Sequence, residues 1–115
     1  MKSHTDLEQS KKLAEILPLE SADNYYSWHD ERYYVVNKDC PYPYSLKEKI
    51  PCWSLASLLD VFPEGIIENY YVPNLQKENG KYSVAYGNDE LLCIADNPVD
   101  ACYEMILKLH ELNLL

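Results

Sequence analysis

The stretch GIIENYYVPNLQKENGKYSVAYGNDELLCIADN, residues 65–97, decides the fold class. Asn79-Gly80 stands between two runs of alternating character, and both residue types tolerate the positive φ that a two-residue hairpin turn demands. Gly87-Asn88-Asp89 supplies a second turn. The reading is an antiparallel meander between Ile66 and Ile94. In its middle strand Tyr82, Val84 and Tyr86 share one face and Ser83 and Ala85 the other, while in the last strand Leu91 and Cys93 oppose Leu92 and Ile94.

Helical signals lie on both sides of this meander. Downstream, Asn97 is a natural cap, Pro98 a pre-organised first helical residue, and Asp100 brings a carboxylate to the free N–H groups of the first turn. The helix expected over 98–113 buries Ala101 or Cys102, Met105, Ile106, Leu109 and Leu112 on one stripe. Upstream, IPCWSLASLLDVFP, residues 50–63, reads as a short helix over 54–62 capped by Ser54, with Leu55, Leu58, Leu59 and Phe62 facing a core. Trp53 and Leu58 have the spacing of a hydrophobic staple. Near the start, Thr5-Asp6-Leu7-Glu8 matches a capping box for a helix over 6–17 that Pro18 ends. The fold class is therefore α+β: an antiparallel β-meander with three helices packed mainly on one face. A chain of 115 residues fits one domain, 1–115.

Residues 20–49 are less decisive. SADNYYSWHDERYYVV is either a short helical turn followed by a strand or a hairpin turning at His29-Asp30-Glu31. In KDCPYPYSLKEKIP, Pro41, Pro43 and Pro51 remove backbone donors, so no central strand fits there.

Charge excludes some functions. Ten Lys and Arg against nineteen Asp and Glu give a formal net charge of −9, the wrong sign for phosphate, so nucleic acid is not an expected partner. No window approaches a membrane span or a signal peptide, so no membrane partner is expected and the reading is a soluble, cytoplasmic protein with reduced thiols.

Cys52 is the sharpest catalytic candidate, because a thiol beside a helix N-terminus can have a lowered pKa. No Lys, Arg or His is forced near it, however, and a space-filling thiol is the better reading. The cysteines at 40, 52, 93 and 102 and the histidines at 4, 29 and 110 lack the short gaps of a zinc site. A Cys40, His29 and Asp30 arrangement can be drawn for a cysteine hydrolase, but nothing in the spacing singles it out. Three glycines leave little for a phosphate cradle, and no nucleotide-binding or nucleophile-elbow motif is present. The expectation is no catalytic residue, no metal and no cofactor.

Tyrosine is over-represented. Among eleven are adjacent pairs at 25 and 26, 33 and 34, and 70 and 71; in a strand each pair sends one ring inward and one outward. Tyr25, Tyr26, Trp28, Tyr33 and Tyr34 crowd into ten residues around His29, Asp30, Glu31 and Arg32. Aromatic anchors inside a charged rim make this the candidate binding surface for a protein partner. The rival reading counts the same rings as sheet-face core.

Three segments carry a resemblance: ESADNYY at 20–26, IPCWSLASLLDVFP at 50–63 and ADNPVDACYEMILKLHEL at 95–112. Together they make the chain similar to a set of small uncharacterised proteins of gut Bacteroides-type bacteria and their phages or mobile elements. That resemblance implies a small α+β domain and brings no activity; the set has alanine where this chain has Cys52, which weakens a catalytic role for the thiol. The leading expectation is a non-enzymatic binding or accessory protein acting through an aromatic and acidic surface. A small hydrolase or transferase with a site near the 50–63 helix is the second reading, and an acidic inhibitor imitating nucleic acid the third.

Overall fold

The computed structural model describes residues 1–29, 31–39, 49–64, 73–87 and 91–115. Ile66 to Val72, Tyr70 and Tyr71 among them, lie outside that set, as do Asp30, Cys40, Asn88 and Asp89. In chain order the elements are α1 (Leu7–Ala14), β1 (Asn24–His29), β2 (Arg32–Asn37), β3 (Ile50–Cys52), α2 (Leu55–Val61), β4 (Asn74–Glu78), β5 (Lys81–Tyr86), β6 (Leu91–Ala95) and α3 (Pro98–Glu111). A short 3₁₀ turn spans Leu19–Ser21. The class is α+β.

The meander forms as its turn residues dictate. Glu78 stands opposite Lys81, with Asn79 and Gly80 between them at φ 52° and 75°. Strand β5 pairs with β4 on one side and β6 on the other, both antiparallel. Val84 and Tyr86 are fully buried and Tyr82 packs beside them, while Leu92 and Ile94 point outward. Helix α3 covers β5 and β6, and α2 packs on α3.

A second antiparallel sheet, of order β2-β1-β3, takes in the region where the sequence left two readings. The hairpin is the correct one. His29 opposes Arg32, and Glu31 takes the turn at φ 63°. Pro51 sits on β3, a three-residue edge strand, which is where a residue without an N–H can be tolerated. Helix α1 lies against β3. Two sheets in place of one lengthen the molecule: its radius of gyration is 15.1 Å against roughly 13 Å for an average chain of this size.

Caps explain the helix limits. Asp6, not Thr5, caps α1: its carboxylate accepts from the Gln9 N–H at 2.8 Å, and the Gln9 side chain accepts from the Asp6 N–H at 3.0 Å. Thr5 is already committed, since its buried hydroxyl bonds Ser10 and accepts from the Trp53 N–H at 3.1 Å. The helix ends at Ala14 and not at 17, because Pro18 holds the preceding residues in a closing turn. Ser54 caps α2 and Asn97 caps α3 as expected. At the far end of α3, Asn113 takes φ 59° and the Leu114 N–H reaches the Leu109 carbonyl, a Schellman-type closure. That closure turns Leu112 to solvent, contrary to the stripe expected from periodicity, and brings Leu114 against the core instead.

One buried cluster connects these parts, including Leu13, Leu17, Trp53, Leu58, Val84 and Met105. The N-terminus is clamped to α3 through Asp100, which accepts from Lys2 and Gln9 at 2.8 Å and from Asn97 at 2.7 Å. Burial works against that carboxylate, but these donors and the Lys2 charge hold it below the usual carboxylate range. Among the described residues no helix is long and apolar enough to cross a membrane.

Gly80→Ala isolates the turn requirement. An added Cβ there meets nothing within 4 Å, so backbone strain at positive φ is the whole penalty. Urea unfolding should show a loss of about 1 kcal/mol; an unchanged midpoint would mean that the turn does not set the β4–β5 register.

Candidate functional site in the first hairpin

Alternation along β1 and β2 sorts the aromatic residues by face. Directly opposed residues share a face, so Tyr26 and Trp28 lie with Tyr33 and Val35, and Tyr25 and Ser27 lie with Tyr34 and Val36. On the first face the rings form a row. Trp28 meets Tyr33 edge-on at 4.8 Å, Tyr33 meets Tyr26 at 6.3 Å, and Tyr26 meets His4 at 6.1 Å. These T-shaped contacts fix the ring planes, which lowers the entropy lost when something packs on them.

The row runs from core to solvent. At its inner end Tyr26 is half-buried and donates its hydroxyl to the Thr5 carbonyl at 2.7 Å. Burial, with Cys52 and Asp6 nearby, pushes its phenol up to about 12, so it stays protonated. At the outer end Trp28 is 42% exposed and Val35 38%. Tyr33 lies between these extremes.

Five residues were expected to form the binding surface, and the structure divides them. Trp28 and, at 43% exposure, Tyr34 are open to solvent on opposite faces, while Tyr26 and Tyr33 are half-buried parts of the row. Tyr25 corrects the expectation: it is 7% exposed and belongs to the packed side of the sheet, with the Lys49 ammonium 4.5 Å above its ring. It borders an open cleft of about 470 Å³ lined also by Leu19, Lys38 and Pro51. Val35 and His4 join the surface without having been anticipated. The signal for Val35 was the unbroken run Tyr33-Tyr34-Val35-Val36, which has no polar position to hide one face; His4 is brought in by a bridge to Ser54 that no local pattern announces.

Around the 50–63 helix the chemistry is spent on structure. Cys52 is fully buried, and its thiol contacts the Thr5 carbonyl at 3.6 Å. Burial pushes that thiol up, outweighing its hydrogen bonds from Thr5, Ser10 and Tyr26, so it is the opposite of an activated nucleophile. The Asp23 carboxylate receives the Ser54 N–H at 2.9 Å and the Ser54 hydroxyl, and Ser54 in turn caps α2. Cys102 is buried and pushed up to about 12, again by desolvation. Cys40 and Asp30 of the cysteine-hydrolase arrangement lie outside the described residues. Among the described residues no three His, Cys, Asp or Glu side chains come together in a way that could hold a metal ion. No family model, curated protein or solved structure matches the chain.

Thiol environments give a direct check. The described cysteines are free, with Cys52 and Cys102 buried and Cys93 partly open. Alkylation of the native protein followed by peptide mapping should label Cys93 well before Cys52 or Cys102. Labelling of Cys52 first would return an activated thiol to consideration.

Proposed function

We propose that this protein is a non-enzymatic binding or accessory protein that engages a protein partner through the aromatic face of the β1–β2 hairpin. The observation that carries this reading is Trp28, a tryptophan left 42% exposed at the end of an ordered ring row. Isolated exposed apolar residues need no explanation, but Trp28 adjoins Tyr33 and Val35 on one continuous face. Tryptophan and tyrosine are also the residue types that dominate contact energies at interfaces. The inner polar clusters are mutually satisfied, which supports a scaffold more than a reaction centre.

The choice of substitution decides whether this can be tested cleanly. Tyr26 has a hydrogen bond and a packing role, so its removal mixes stability with binding. Trp28→Ala does not have that defect. It should leave the thermal midpoint within about 5 °C, as surface substitutions do, while abolishing capture of the partner retained by the unaltered protein from the native cell. A large fall in the midpoint with capture intact would place Trp28 in the core and end this reading.

A further inference from the structure

Strand β2 is an edge, and its open side has a definite pattern. The Lys38 N–H donates to the Asp23 carbonyl at 3.1 Å, continuing the register in which Asn24 opposes Asn37. Antiparallel pairing alternates, so Val36, Tyr34 and Arg32 turn their backbone groups toward β1, and Asn37, Val35 and Tyr33 turn theirs away. Among the described residues nothing pairs with that outer row. Proteins ordinarily protect such edges with proline, shortness, inward charge or a covering element. Edge strand β3 has Pro51 and three residues, β4 reads Asn-Leu-Gln-Lys-Glu, and β6 lies under α3. Among the described residues the six of β2 have none of these protections, and not one of the six is buried.

Charge indicates the occupant. Residues 32–38, Arg-Tyr-Tyr-Val-Val-Asn-Lys, contain two cations and no carboxylate, in a chain whose net charge is −9. Both cations are exposed, and neither makes a salt bridge among the described residues. By alternation both point to the same face as Tyr34. A second copy of this chain suits the edge poorly. In the register of fullest overlap, centred on Val35, it sets Arg32 against the other copy's Lys38, and like charges directly opposed are destabilising.

We infer that the β2 edge receives an extended acidic segment of a partner protein by strand addition, with its backbone on Tyr33, Val35 and Asn37 and a carboxylate at each end facing Arg32 and Lys38. This rests on the binding role proposed for the hairpin and specifies its mode. Main-chain hydrogen bonds supply the affinity, and alternate side chains of the added strand reach the Trp28–Tyr33–Val35 face.

The probe is a fluorescein-labelled heptapeptide, Asp-Thr-Val-Val-Thr-Val-Asp, with a Lys-ended version as control, followed by anisotropy. The acidic peptide should bind saturably and more weakly as salt is raised. Val35→Pro removes an N–H that β1 does not use, so the hairpin survives, and binding should fall about tenfold or more. The double variant Arg32→Glu, Lys38→Glu should reverse the preference toward the Lys-ended peptide, which tests the same edge without proline. Absence of saturable binding, equal binding to Val35→Pro, or no reversal in the double variant would overturn the inference. So would a dimer in sedimentation that Val35→Pro dissolves, because a second copy would then own the edge. Loss of partner capture in Trp28→Ala alongside any of these negative results leaves the aromatic face standing and removes only strand addition.

Discussion

The fully buried Trp53 is the constraint on which the other parts depend. Its N–H donates to the Thr5 hydroxyl at 3.1 Å and its carbonyl accepts from the Thr5 N–H at 2.9 Å, so the N-terminal segment is stitched to the start of α2. Its indole N–H donates to Ser21 at 2.9 Å, which ties down the 3₁₀ turn leading into β1. The ring itself fills the core shared by α1, α2 and α3. Buried polar groups of this kind are costly when left unpaired, at about 1–3 kcal/mol each, so Thr5, Ser21 and Trp53 hold one another in place.

From that junction the two sheets diverge. Strand β3 passes directly into Trp53, and β1 pairs with β3 from Asn24 opposite Cys52 to Tyr26 opposite Ile50. Among the described residues, β3 reaches this inner half of β1 and no further. Beyond Tyr26, β2 is the one strand that pairs with β1 among the described residues; Ser27, on the face of Tyr25, is still buried there, while Trp28, on the opposite face, is open. On the Tyr26–Trp28 face the strand passes from half-buried to open, which sets an aromatic anchor at the outer end of a hairpin held at its base by β3. A stable scaffold with an exposed edge is the physical content of the proposed binding role.

Local chemistry announced most elements and left their assembly open. Asn97-Pro98, Ser54 and Asn79-Gly80 act within a few residues of themselves, and each does in the structure what its type requires. Thr5 looked like a cap until its hydroxyl was taken by Trp53, a residue far along the chain. The hairpin of β1 and β2 was one of two readings because its turn, at Glu31 with φ 63°, lacks the glycine or asparagine that marks such turns. Paired tyrosines do send their rings to opposite faces, yet which of Tyr25 and Tyr26 goes inward is decided by the long-range pairing of β1 with β3. For the same reason the candidate surface could be placed in 25–34 but not divided into buried and exposed members.

Native-state hydrogen exchange of individual amides, measured by NMR, tests the junction and the open edge together. Thr5 and Trp53 amides, bonded to each other's residue inside the core, should exchange only through global unfolding, with the protein's full unfolding free energy. Tyr33, Val35 and Asn37 amides should exchange at nearly the rate of an unstructured chain, while Tyr34 and Val36, bonded to β1, are protected. Rapid exchange at Trp53, or protection at Tyr33, Val35 and Asn37 in the isolated protein, would contradict an anchored junction bearing an open edge.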